Sequence, residues 1–185
     1  VVTVHDIGVT PSGRAFFVME LLKGLTLREE LRRVGRLDPL RTLNILRGVC
    51  AAVEAAHKRQ MIHRDLKPEN IFLCEGDSVE IPKVLDFGLA KALEIGGTAG
   101  LTESGGVVGT PPYMAPERLR GDEPSPDWDL WALAVVAFEV MTGELPSTGK
   151  PGMPFLDDNL LSAALRQVFS RALAADPLDR PTGAT

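Results

Sequence analysis

The chain has 185 residues, enough for one domain or a large part of one. Hydrophobic residues make up 44% of it, so it can bury a core and is not disordered in bulk. A formal net charge of −5 argues against a nucleic-acid-binding surface and against an anionic-membrane surface, and the two cysteines, Cys50 and Cys74, lack the C-x-x-C spacing of a zinc site or redox pair.

Val1 to Val4 reads as a short strand, followed by a turn-rich connection from Asp6 to Gly13 and a second apolar strand from Ala15 to Leu22. The two are expected to pair antiparallel. Helices follow. Thr26 and Glu29 fit a capping box, and Gly35 is a stop. Asp38 and Pro39 mark the next start, after which Leu43, Leu46, Cys50, Val53 and Ala56 or His57 fall at three- and four-residue steps, one face of a long amphipathic helix. Met61 to Leu73, interrupted by Pro68, reads as a loop ending in a strand near Ile71–Leu73, with Val79–Leu85 as its hairpin partner. This unit would place Asp65 and Asn70 at one end and Asp86 at the other, close in space.

Residues Ala90 to Gly109 are rich in Gly, Thr and Ser and read as a loop. Trp128 to Thr142 is apolar nearly all round, which predicts a helix buried in the core and stopped by Gly143. A last helix is expected over Leu160–Leu173, before Asp176-Pro177. No signal peptide is read at the N-terminus. The longest apolar run, Leu130–Phe138, is far short of the roughly 20 residues of a membrane span.

Three motifs stand in order along this framework. His63-Arg64-Asp65-Leu66-Lys67-Pro68-Glu69-Asn70 comes first; Asp86-Phe87-Gly88 begins sixteen residues after Asn70; Ala115-Pro116-Glu117 closes the segment. Alone, the second and third are weak signals. Together and in this order they resemble the protein kinase family, its Ser/Thr branch in particular. The resemblance implies an α+β, mostly α fold: a kinase-like C-terminal lobe over residues 23–185, preceded over 1–22 by the last two strands of an N-terminal lobe and the hinge, with the catalytic loop at 63–70 and the activation segment at 86–117.

It also implies roles. Asp65 would accept the proton of the attacking hydroxyl and orient it, and Lys67 would neutralise the transferring phosphoryl group. Asn70 and Asp86 would hold Mg²⁺, or Mn²⁺ in its place, on ATP. Thr110 would hydrogen-bond to Asp65 and Lys67. Met19 (as gatekeeper), Glu20 and Leu22 would form the adenine-binding hinge, with Phe72 under the ring. Arg64 resembles the arginine of kinases activated by loop phosphorylation, with Thr102 and Ser104 as candidate phosphosites or ordinary loop hydroxyls. His63 would support the loop and Phe87; Glu117 and Arg180 would form a buried ion pair; Asp129 would pin the catalytic-loop backbone. The implied partners are ATP, protein substrates bearing Ser or Thr, and a second copy for autophosphorylation of the loop. The implied location is cytoplasmic, with a membrane anchor open for a parent protein.

The 185 residues contain neither a Gly-rich G-x-G-x-x-G loop nor a V-A-I-K-type lysine, and Lys23, which follows the hinge, does not replace it. A final helix beyond Thr185 is also expected from the resemblance. Ala132 and Ala134 stand where Ser and Gly are usual, and Pro146–Leu160 is short for a segment that usually carries a docking helix. An inactive kinase-like binding or scaffolding module is therefore the second reading. The joint presence of Asp65, Lys67, Asn70 and Asp86 favours catalysis.

Overall fold

The computed structural model describes residues 1–76, 80–87, 112–150, 153–155 and 161–183. The fold is α+β and mostly helical. Strands β1 (Val4–Val9) and β2 (Ala15–Met19) form an antiparallel ribbon, and β3 (Gly24–Thr26), β4 (Ile71–Cys74) and β5 (Ile81–Val84) form an antiparallel sheet in that order. Helices α1 (Leu27–Val34), α2 (Pro39–His57), α3 (Pro116–Leu119), α4 (Pro126–Thr142) and α5 (Ala163–Ala172) make up the rest, with a backbone-paired hairpin of β6 (Ser147–Lys150) and β7 (Met153–Phe155) after α4.

Local hydrogen bonding explains most helix ends. The Thr26 hydroxyl accepts from the Glu29 N–H while the Glu29 carboxylate accepts from the Thr26 N–H at 2.7 Å, so each satisfies an orphan donor of the first turn. Asp38 caps α2 through the Arg41 N–H at 3.0 Å, with Pro39 at the first helical position. Gly143 ends α4 in the left-handed conformation at φ 83°.

Two expectations are corrected. The first strand lies over Val4–Val9, not Val1–Val4; the turn is confined to Thr10–Gly13, where the Gly13 N–H donates to the Thr10 carbonyl at 2.9 Å. The buried face of α2 is Thr42, Ile45, Val49, Val53 and Ala56: Val53 and Ala56 belong to the predicted stripe, while Thr42, Ile45 and Val49 are buried in place of Leu43, Leu46 and Cys50. This helix is apolar on more than one side, so two three- and four-residue series fit its sequence. Packing chose the one facing α4 and the β4–β5 pair, leaving Leu43 54% exposed on the rim of an apolar cavity between α2, α4 and α5. Three elements were not anticipated: β3, the short α3, and the β6–β7 hairpin in the Pro146–Leu160 stretch.

Helix α4 is the axis of the core. One face, with Ala132, Leu133, Val136 and Val140, meets α1, α2 and the β4–β5 hairpin. The other, with Trp131, Val135 and Phe138, meets α5, where Phe138 and Phe169 pack edge to face at 5.4 Å. Each fully buried aliphatic side chain here is worth about 1.5–3 kcal/mol. A helix buried all round must neutralise any charge it carries. Asp129 and Glu139, both buried on α4, become anchor points for the functional loops.

Candidate active site

The candidate catalytic loop, residues 63–70, is hung from α4 by one carboxylate. Asp129 accepts the N–H of His63 at 2.8 Å and that of Arg64 at 2.9 Å, and His57 at the end of α2 reaches its Oδ2 at 2.8 Å. The His63 ring is buried. The Asp65 N–H points at its Nδ1 (3.3 Å), so the proton sits on Nε2, which donates to the Leu85 carbonyl at 2.7 Å. The same ring packs edge to face on Phe87 at 4.7 Å. One side chain thus ties the loop to the residues on both sides of Asp86.

These ties hold two strained residues. Arg64 (φ 70°) and Asp86 (φ 59°) lie in the left-handed region, which non-glycine residues seldom occupy and which costs of order 1–3 kcal/mol each. Pro68–Asn70 form a 3₁₀ turn, and the Leu85 N–H donates to the Asn70 carbonyl at 2.8 Å, which brings the start of β4 and the end of β5 together. Asn70 and Asp86 therefore flank the same open end of the hairpin.

At that end, Lys67 Nζ lies 2.6 Å from Asp65 Oδ2. Asn70 Nδ2 donates to the Asp65 carbonyl at 2.7 Å and to Asp65 Oδ2 at 3.2 Å. With its NH₂ committed to Asp65, the Asn70 amide has its Oδ1 left as the atom that could accept a cation. The Asp86 carboxylate is exposed. Among the described residues no group of three His, Cys, Asp or Glu side chains could hold a metal by protein ligands alone. That donor set suits Mg²⁺, which is held by one or two protein oxygens and completed by phosphate. A cavity of about 390 Å³ opens beside Asp65, walled by Lys67 and Glu69 on one side and by Tyr113, Met114 and Arg118 on the other.

The residues expected to form the hinge lie where β2 leaves its ribbon. Met19 is the last residue of β2 and Leu22 is half-buried. The Glu20 N–H donates to the Thr3 carbonyl at 3.0 Å, and the Glu20 carboxylate accepts from the Thr3 N–H at 2.8 Å and from Lys83 Nζ at 2.5 Å. Lys83, and then the Thr3 N–H, hold the Glu20 carboxyl well below its ordinary value, at about 2. Phe72 is half-buried on β4, directly opposite Lys83 on β5.

Arg180 and Glu117 form a bidentate pair at 2.7 and 2.8 Å, with side chains 0% and 4% exposed. Arg180 also lies 4.9 Å over the Trp131 ring. Burial is the largest influence and works against the Glu117 charge, but the Arg180 hydrogen bonds, a backbone hydrogen bond and the nearby arginine charges together lower its pKa. This pair fastens α3, at the end of the expected activation segment, to the C-terminal 3₁₀ turn Pro177–Asp179. Thr102, Ser104 and Thr110 lie outside the described residues, as does most of the 86–117 segment.

Several site residues carried no sequence signal. Arg28, on the first turn of α1, donates to Glu69 of the catalytic loop at 2.8 Å, to Glu139 of α4 at 2.6 Å, and to the Tyr113 hydroxyl. Tyr113 in turn donates to Glu139 at 2.5 Å. Burial first, and then Glu139, push the Tyr113 phenol up; burial opposes the Arg28 charge, but Glu139 and Glu69 raise its pKa on balance. Arg118 lies over the Trp128 ring at 5.2 Å and donates to the Arg64 carbonyl. Arg28 and Glu139 are 111 residues apart, so no spacing rule could have joined them.

The model of the family described as "Protein kinase domain" matches residues 1–184. The chain is 36% identical over 196 aligned residues to the serine/threonine-protein kinase PknB of Mycobacterium tuberculosis, covering 97% of this chain and 31% of PknB. It is 36% identical over 201 residues to the serine/threonine-protein kinase pkn3 of Myxococcus xanthus, covering 99% of this chain and 37% of pkn3. The chain thus spans about a third of the length of these relatives. Among solved structures, the kinase domain of Mycobacterium tuberculosis PknI, crystallised as a double mutant, superposes with a TM-score of 0.77 at 26% identity, covering 100% of this chain and 67% of that one.

Proposed function

The chain belongs to the protein kinase family, and from that premise we propose that it carries the catalytic lobe of an enzyme moving the γ-phosphate of ATP onto Ser or Thr hydroxyls of proteins. One observation carries the reading: Lys67 and Asn70 both direct N–H donors to Oδ2 of Asp65, at the hairpin end that also bears Asp86. Those donors fix the orientation of the Asp65 carboxylate, which in this reading takes the hydroxyl proton of an acceptor. Lys67 stands where it can offset charge on the phosphoryl group in flight. Asn70 Oδ1 and Asp86 would hold Mg²⁺, or Mn²⁺ in its place; the ion, when bound, offsets phosphate charge. Glu20 and Leu22 would present backbone groups to adenine, Met19 would line its rear and Phe72 its floor.

The division of the chain follows: residues 1–22 belong with an upper, nucleotide-covering lobe and 23–185 form the lower lobe. Thr110 would bond to Asp65 and Lys67. Phosphate on Thr102 or Ser104 would pair with Arg64, placed there by a second copy of the protein. The free thiols of Cys50 and Cys74, and the need for ATP, favour a cytoplasmic setting. Among the described residues no helix is long and apolar enough to cross a membrane.

The test is transfer of radiolabelled phosphate by the full-length gene product, wild type beside Asp65→Asn. The variant is expected to lose roughly 10²- to 10⁴-fold in rate while still binding nucleotide. Equal transfer by the two proteins would remove Asp65 from this role. A wild type that binds nucleotide and transfers nothing would favour the scaffold.

A further inference from the structure

The Glu20–Lys83 pair joins the hinge to the β4–β5 strand pair, which bears Phe72 and leads to Asp86. Glu20 lies in the hinge, between Met19 and Leu22. Lys83 lies on β5, directly across from Phe72 of β4 and three residues before Asp86. Their side chains meet at 2.5 Å and each is 25% exposed, so the contact is partly shielded from water. The other Glu20 oxygen takes the Thr3 N–H at 2.8 Å, and the Glu20 N–H returns to the Thr3 carbonyl at 3.0 Å. The carboxylate is thus held at both oxygens and has little freedom to swing away from Lys83.

Such a clamp sets a distance. One end of it is the peptide whose carbonyl would face the adenine edge. The other is the strand pair that bears the ring's floor and, at its end, the carboxylate for the metal. We propose that Lys83 is a positioning residue for nucleotide: by gripping Glu20 it fixes the hinge at the height above Phe72 that admits an adenine ring. Lys83 acts through Glu20, and this role rests on the reading of the cleft as an ATP site.

The test compares wild type, Lys83→Met, Lys83→Arg and Glu20→Gln as full-length gene products. Calorimetry gives the Kd for ADP, transfer assays give KM for ATP and kcat, and thermal unfolding reports folding. The expected result for Lys83→Met is a rise of about fivefold in both Kd and KM, the size that goes with losing one partly exposed charge-assisted pair, with kcat changed less than about twofold. Lys83→Arg should restore binding, and Glu20→Gln should weaken it about as much as Lys83→Met does. If Lys83→Met does not fold, Glu20→Gln decides alone. Unchanged Kd in the folded variants overturns the proposal, as does a faster kcat, which would make the pair a restraint on the enzyme. A wild type that binds no nucleotide overturns the cleft reading itself, and is told apart from the first result by the wild-type calorimetry.

Discussion

Asp129, Glu117 and Glu139 are buried carboxylates, and each is matched by donors that come from far along the chain. Burying a charge is tolerated only with partners, so removing one partner costs more than the pair contributes net. Arg180→Met should therefore destabilise the fold by about 3–5 kcal/mol, measured by urea unfolding, because it strands Glu117. Tyr113→Phe is a milder change: Glu139 keeps Arg28, and the loss should be about 1 kcal/mol. Asp65, Lys67, Asn70 and Asp86 were legible in the sequence because their chemistry is packed into a short run and one neighbour. Arg28, His57 and Lys83 were not, since each is an ordinary surface-type residue until the fold supplies its partner.

The elements show the same division. Caps at Thr26, Asp38 and Gly143 were legible because each is a bond between residues at most four apart. The face of α2 was not, because choosing it requires the neighbouring element. Gly48 makes that neighbour visible: a Cβ there would stand 2.5 Å from Cγ of Pro82 on β5. Gly48→Ala gains about 1 kcal/mol of helix propensity but drives a methyl into a rigid ring, an overpacking cost of about 1–3 kcal/mol. The net effect should be a lower urea midpoint, and adding Pro82→Ala should recover it. A midpoint that rises in the single variant would show that α2 and β5 are not held in register by this contact.

For the whole molecule, acid is the informative perturbation. Arg33 first, with Arg41, holds the Glu30 carboxyl at about 2 against the ordinary 4.5, and Glu30 is fully buried. Arg41 also bonds Glu80 at 2.7 Å, so α1, α2 and the β4–β5 hairpin share one network. A folded pKa below the unfolded one means the unfolded chain binds the proton first. The contribution is complete above about 4.5 and is lost as pH falls towards 2. Glu20 titrates over the same window. Urea unfolding at a series of pH values from 5 to about 2 should show stability falling through that range, with a shallower slope in Glu30→Gln. A second expectation concerns activity. These 185 residues contain no Gly-rich loop or strand lysine to clamp the ATP phosphates, so on their own they should transfer phosphate far below the ~1–100 s⁻¹ usual for kinases.

The sequence by itself determined the family, the candidate set of catalytic groups and the punctuation of the helices. All three are written in residues close together along the chain, where covalent spacing does the positioning. The tertiary structure decided what those groups lean on: Asp129 under the loop, Arg28 between Glu69 and Glu139, Lys83 against the hinge, and the side of α2 that is buried. These depend on which surfaces pack together. A buried charge takes whatever partner the packing delivers, and packing is a property of the whole chain.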